Sequence, residues 1–341
     1  MIIYSKTKVD FGNDVLTNDI DSIIAQHYLK ATGKNIAKSE LCAFKNSLGY
    51  MDRILNDHEI PDDCGISVEY HVPQTSKRVD FIISGSDNVS NENIIIIELK
   101  QWESADITEK DGIVSTCFHG KPAETSHPSY QAWSYASLLK FFNATVEEQN
   151  IGLYPCAYLH NYVPDETIVN DFYGYYLEKA PVFLKPDALR LREFIKKHIK
   201  YGDRGSILYK IENGKIKPTK YLADSLKGML RGNQEFIMID DQKVAYENAI
   251  YLAKHSNERN KNVLIIKGGP GTGKSVVAIN LLVELNRKGI MAQYVTKTSA
   301  PREVYFEKLT GDKRKVDLKS LFVGSGSFMH THPNTISTLI V

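Results

Sequence analysis

Four glycines, a lysine and a serine are packed into residues 268–275, which read Gly268-Gly269-Pro270-Gly271-Thr272-Gly273-Lys274-Ser275. An apolar run, Val263-Leu264-Ile265-Ile266, precedes the octet and predicts a strand; Val276-Val277-Ala278-Ile279-Asn280-Leu281-Leu282 follows it and predicts a helix with an apolar face. Strand, glycine loop, Lys-Ser and helix, in that order, form the context of a phosphate-binding loop. Glycine lets backbone N–H groups turn inward around an anion with no Cβ in the way, and the helix N-terminus adds partial positive charge. Lys274 is placed to reach terminal phosphates and Ser275 to offer its hydroxyl to a magnesium ion. All eight residues are therefore candidate contacts for ATP with Mg²⁺, and Ser275 is a candidate metal ligand.

The last residues, Thr335 to Val341, have the composition of a buried parallel strand. In a P-loop ATPase such a strand delivers the Walker B acids, yet no Asp or Glu follows here. The expectation is the front part of something longer, or a shortened product, holding ATP-Mg²⁺ with weak or no hydrolysis.

The 341 residues exceed one ordinary domain. A formal net charge of +1 leaves no global field to draw the chain to nucleic acid, so such binding must come from local patches. One candidate run is Lys196, Lys197, His198, Lys200 and Arg204, which also reads as a solvated helix face. The N-terminus lacks the apolar core of a signal peptide, and the longest aliphatic run, Ile94 to Ile97, is far too short to span a bilayer. Four widely spaced cysteines without a CxxC pair predict thiols in a reducing cytoplasm, with no disulfide frame or zinc site.

Apolar periodicity predicts helices over about 19–29 and 41–55, strands over 66–72, 79–84 and 94–99 with a turn at 85–88, a helix over 130–142 and a strand over 151–159. A basic amphipathic helix is expected from Pro186 to about Tyr201, and Asn213-Gly214 reads as a hairpin signal. A new domain is expected near Phe236. Three regions result: residues 1–164, a rim and connector over 165–235, and a P-loop domain over 236–341.

A second chemical constellation lies in the front region. Arg78-Val79-Asp80-Phe81 puts a carboxylate on one predicted strand, and the next strand, Ile94 to Ile97 followed by Glu98-Leu99-Lys100, ends in Glu-x-Lys. Side chains alternate along a strand, so Glu98 and Lys100 share a face, and an in-register hairpin brings Asp80 to them. Two carboxylates and a lysine can hold a divalent cation and position a water. Charged residues after four isoleucines are costly unless they have a role. This pattern resembles the PD-(D/E)xK nuclease superfamily, with Val79-Asp80 where that family has Pro-Asp. Gln131-Ala132-Trp133-Ser134-Tyr135 resembles the QxxxY helix motif of its RecB-type members. The resemblance implies Asp80 and Glu98 as ligands of Mg²⁺ or Mn²⁺, Lys100 as the residue that orients water or stabilises the phosphate, and Gln131 and Tyr135 as supports of the site. Glu40 and Glu69 compete as a further acid.

Upstream of the P-loop, Phe236 to Gln242 precedes a predicted helix over 243–253. Gln242 stands where superfamily one helicases carry an adenine-reading glutamine, whose amide both donates and accepts; Asp240 or Asp241 also reads as a helix cap. Gln293 to Thr298 loosely resembles a helicase strand and its single-strand contact loop. The whole order resembles bacterial nuclease-helicase fusions grouped with the Schlafen group-3-like DNA/RNA helicases. The implied fold class is α/β, a PD-(D/E)xK-like α/β/α domain followed by a partial RecA-like parallel-sheet domain. The implied function is Mg²⁺-dependent cleavage of DNA, with RNA as the other substrate, in the cytoplasm and without a membrane partner. The missing motor lobe or another subunit would complete the ATPase. Two alternatives stand beside it: a nucleotide-gated nucleic-acid-binding module with an inactive nuclease fold, and a small-molecule P-loop kinase with an unrelated front domain.

Overall fold

The computed structural model describes residues 1–17, 19–72, 75, 77–118, 120–217, 237–299, 303–304 and 320–341. Its contacts divide the chain into Met1–Pro218 and Thr219–Val341. Phe236 and the boundary expected there lie outside the described residues.

The first unit opens with β1 (Ile2–Thr7), α1 (Lys8–Leu16), α2 (Ile20–Thr32) and α3 (Lys38–Leu55). There follow β2 (Gly65–His71), β3 (Arg78–Ser86), β4 (Glu92–Lys100), a side sheet of β5 (Ala105–Ile107), β6 (Ile113–Phe118) and β7 (Lys121–Ser126), then α4 (Pro128–Phe142), α5 (Ala144–Glu148) and β8 (Gly152–Leu159). Residues 165–217 add α6 (Gly174–Lys179), β9 (Val182–Leu184), α7 (Ala188–His198) and α8 (Ser206–Glu212) to the same unit. The main sheet has the order β1-β2-β3-β4-β8-β9. Its first four strands are antiparallel neighbours, while β8 and β9 join in parallel. The core sequence is thus helix, three antiparallel strands, helix, parallel strand.

Ile94 to Ile97 are all 0% exposed, which explains an unbroken isoleucine run: β4 is central and covered on both faces. Ile95 and Ile97 face a cluster with Phe81, Ile83, Leu48, Met51 and Leu191, which gathers α1, α3 and α7 on one side. Successive side chains alternate, so Ile94, Ile96 and Glu98 take the opposite face. There α4 packs on β4 and β8, and none of its residues joins the first cluster.

The sheet runs two residues further than expected: β3 continues through Ser86 and the turn comes after it. Asn213 does not start a hairpin turn; it caps the C-terminus of α8. The basic run does not form one patch either. Lys196 is buried and paired with Glu59 and Glu193 at 3.0 and 2.6 Å, and His198 stacks on Tyr154. All four cysteines are free thiols, Cys64 and Cys156 buried, Cys42 and Cys117 exposed. Among the described residues no helix is long and apolar enough to cross a membrane.

The second unit contains α9 (Asp241–His255), α10 (Lys274–Arg287), β10 (Ala292–Thr296), β11 (Phe322–Gly324) and β12 (Thr338–Ile340). Both β11 and β12 pair with β10 in parallel. The strand expected over 263–266 is not formed, and Val263 and Ile265 are 86% and 73% exposed. Lateral hydrogen bonds define a strand, and these residues have no ladder partner among the described residues. The expected final strand is parallel but not buried: Leu339 is 47% exposed. The whole chain is mixed α/β.

Candidate functional site

The ladder between β3 and β4 closes at Phe81 opposite Ile97. One step beyond stand Asp80 and Glu98. Asp80 Oδ2 accepts from the Leu99 backbone N–H at 2.8 Å, and the ladder register sets Asp80 opposite Glu98. Burial pushes the Asp80 carboxyl up, while Lys100, the Leu99 N–H and Glu98 pull it back. Lys100 Nζ sits 2.7 Å from Glu98 Oε1. The structure therefore brings together the two acids and the lysine that the sequence pattern selected.

A third acid extends the row. Val68 pairs with Phe81 and Tyr70 with Val79, so Glu69 lies opposite Asp80 but drops out of the ladder. Its φ is +58°, a conformation costly for a residue with a Cβ. Glu69 is 2% exposed, and burial together with the neighbouring Asp80 pushes its pKa up to about 8. Arg78 opposes that rise: its guanidinium lies 2.7 Å from Glu69 Oε2 and 2.7 Å from Glu40 Oε1. Both competing acids thus touch one arginine. A glutamate inside an otherwise apolar run, Val68-Glu69-Tyr70, was the sequence signal for this position. Among the described residues, no group of three or more His, Cys, Asp or Glu side chains is arranged to hold a metal ion.

The end of β4 is locked from the other side. Gln101 Nε2 donates to Ser47 Oγ on α3 at 3.1 Å, and Ser47 meets His160 Nε2 at 3.0 Å. His160 also stacks on Tyr50 at 4.3 Å. No short-range pattern links Ser47, Gln101 and His160, so sequence reasoning missed them. On α4, Gln131 Nε2 donates to the Tyr135 hydroxyl at 3.0 Å, as their spacing of one helical turn requires. Tyr135 is buried. A cleft of about 700 Å³ opens beside the acids, lined by Asp80, Lys100 and Trp102, by Phe44 and Ser47 of α3, and by Phe118 of β6. Gln131 and Tyr135 are not among its lining residues.

In the second unit the loop 268–275 leads directly into α10, and Gly271 and Gly273 have φ of +74° and +83°. A Cβ on Gly273 would stand 2.4 Å from Gln242 Nε2. Gln242 is thus pressed against the loop: its Nε2 donates to Thr272 O at 3.0 Å, and its Oε1 accepts from Ile239 N at 3.3 Å. Lys274 Nζ donates to Gly268 O and Gly269 O at 2.8 and 2.6 Å, and Thr272 Oγ1 donates to Gly269 O at 2.9 Å. Ser275, the second residue of α10, stands beside Lys274 at the positive end of the helix. The loop is intact although the strand expected before it is not formed.

Residues 261–341 match the family described as Schlafen group 3, DNA/RNA helicase domain. The match begins just before the glycine loop and runs through β12, so it ties this part of the second unit to helicases and to nucleic acid. Comparison with curated proteins and comparison with solved structures each gave no match.

Proposed function

We propose that the first unit is a metal-dependent nuclease acting on DNA, carried with a helicase-type unit that binds ATP-Mg²⁺. The observation that carries this reading is the placement of Asp80 opposite Glu98, with Lys100 on Glu98, at the end of the central strands. Two acids set side by side repel when both are ionised, and a divalent cation between them removes that cost. The residues fit magnesium, which needs one or two protein carboxylates and keeps waters for its remaining positions.

Asp80 and Glu98 would hold the cation, which when bound supplies a water of lowered pKa and positive charge beside the phosphate. Asp80 is kept in register by the Leu99 N–H. Glu98 and Lys100 hold each other on one face, and Lys100 would set the attacking water or meet the phosphate oxygen. Water would attack phosphorus as the P–O bond to the leaving sugar breaks; the attacking water gives up a proton to solvent, and the leaving sugar oxygen takes one from solvent to become a hydroxyl. Gln131 and Tyr135 would act as a support from α4. In the second unit Gly268 to Ser275 would wrap the phosphates, with Ser275 as a magnesium ligand. Lys274 would exchange its bonds to Gly268 O and Gly269 O for phosphate oxygens. Gln242, already against Thr272, would meet the base. The helicase-family match supports the nucleic-acid part of this reading.

A second reading keeps the same fold as a nucleotide-gated binding module without cleavage. The ion pair between Lys100 and Glu98 favours it, because it engages both groups with each other. A plasmid-nicking assay in Mg²⁺ or Mn²⁺ without ATP separates the two, with calorimetric metal titration alongside. The nuclease reading expects nicking by the wild type, none by Asp80→Ala or Glu98→Ala, and reduced nicking with retained metal binding by Lys100→Ala. A wild type that nicks under no divalent metal refutes it, whether or not the metal binds.

A further inference from the structure

The side sheet β5–β7 is inserted between the two halves of the acid-bearing unit, after Lys100 and before α4. It has no part in the cleavage chemistry proposed above. Its middle strand, β6, nevertheless forms one wall of the cleft that holds Asp80 and Lys100, through Thr116, Cys117 and Phe118. Phe118 is the last residue of that strand and is 43% exposed. Its ring is not loose on the surface: it packs edge-to-face on Trp102, with centroids 6.3 Å apart and planes at 89°. Trp102 in turn packs against the apolar cluster of Ala105, Val114, Ala157 and Leu159, and carries the Lys100 ammonium 5.4 Å from its ring centroid. A part-exposed aromatic ring thus rests on Trp102, which also carries the lysine of the acid row.

We infer that Phe118, backed by Trp102, is a stacking platform for an unpaired base of single-stranded DNA whose phosphate lies at Asp80, Glu98 and Lys100. This rests on the nuclease reading for the phosphate end alone; the platform is defined by the two rings and the cleft. A cleft of about 700 Å³ has the size of a small-molecule site, typically about 300–1,000 Å³, and takes a nucleotide rather than a duplex. Bases within a duplex have both faces covered by neighbours, so an aromatic ring meets a base only where the strand is unpaired. Every base has a π-face, so this contact selects single strands without selecting a sequence. The cation beside Trp102 adds attraction for the phosphate that follows the stacked base.

The test is fluorescence-anisotropy titration of the full-length chain with a labelled oligothymidine and with a duplex of equal length. Calcium replaces magnesium so that cleavage does not intrude, and the wild type is compared with Phe118→Ala and Phe118→Tyr. Phe118→Ala is expected to weaken single-strand binding roughly 5- to 150-fold, the equivalent of about 1–3 kcal/mol per stacked base. Duplex binding should be unchanged, and Phe118→Tyr should restore the wild-type value. As a second readout, Trp102 emission in a Trp133→Phe background should be quenched by the single strand and not by the duplex. Unchanged single-strand binding in Phe118→Ala, or equal loss of single-strand and duplex binding, overturns the platform. Loss that follows Phe118 in a chain that cuts no DNA under any metal upholds the platform and refutes the nuclease reading alone.

Discussion

Acidification should loosen the first unit through His127. This ring is 0% exposed and serves as the N-cap of α4. Its Nδ1 accepts from the Ser129 N–H at 3.2 Å, and its Nε2 stands 2.9 Å from Ile168 O. An N–H can face the carbonyl only from Nε2, so the neutral ring with its proton on Nε2 satisfies both contacts. A second proton on Nδ1 would point at the Ser129 N–H and break the cap. Burial, the larger cause, accordingly depresses the pKa from 6.5 to about 4, against the opposing pull of Ile168 O. The unfolded chain takes up the proton first, so this contribution is fully present above pH 6.5 and is lost as pH falls toward about 4. At 1.36 kcal/mol per pKa unit its full size is roughly 3 kcal/mol, of which about 2.5 kcal/mol is gone by pH 4.5. Both tryptophans, Trp102 and Trp133, lie in the first unit, so urea unfolding followed by their emission reports that unit. His127→Asn keeps a capping oxygen but cannot titrate. The variant should be less stable at pH 7, having lost the stack on Tyr173 at 4.4 Å, yet flatter than wild type between pH 6.5 and 4.5. Parallel pH profiles for the two proteins would refute the argument.

Two further outcomes follow from single contacts. Arg78→Ala removes the partner of a glutamate that is 2% exposed and should lower the urea midpoint, by less than the about 3–5 kcal/mol of a fully buried ionised pair because Arg78 is part-exposed and Glu69, with a pKa of about 8, can take up a proton; the loss should grow as pH rises above 8. Arg78→Lys should recover little, because one ammonium cannot reproduce the fork that reaches both Glu69 and Glu40. Gly273→Ala forces a Cβ to within 2.4 Å of Gln242 Nε2 at φ +83°, so the second unit should lose about 1–2 kcal/mol from the backbone conformation alone and bind a fluorescent ATP analogue more weakly, whereas Gly269→Ala, whose nearest neighbour is 3.9 Å away, should melt within a degree or two of wild type, both read by thermal denaturation.

Much of the acid-bearing unit was legible because its signals are local. Four isoleucines in a row announce a strand covered on both faces, and Glu98 and Lys100 share a face by alternation alone. The parallel pairing of β4 with β8 follows from the helix between them. What stayed hidden depends on partners distant in sequence. β5 to β7 sit in a stretch of mixed composition, and Phe118 and Trp102 become a pair only when that sheet folds back beside β4. Ser47, Gln101 and His160 carry no periodicity at all. The P-loop region failed in the opposite direction. Val263 to Ile266 have strand composition, but composition supplies no neighbour, and the ladder hydrogen bonds that make a strand are not formed there.

The row formed by Glu69, Asp80 and Glu98 breaks the rules that the rest of the sheet obeys. Above it, each strand buries isoleucine, valine or phenylalanine with its backbone paired; at it, three acids stand abreast, one with φ +58° and one bonded to the Leu99 backbone N–H of the next strand. A sheet selected only for stability would place apolar side chains there, since a buried ion pair seldom improves on well-packed hydrophobes. Arg78 and Lys100 offset part of the cost, one on each flank. Backbone strain and buried like charges persist where surrounding packing over-determines them, and such positions concentrate at functional sites. The fully buried isoleucines of β4 supply that packing immediately next to the row. The same stretch of chain therefore carries both the stability and its local expense.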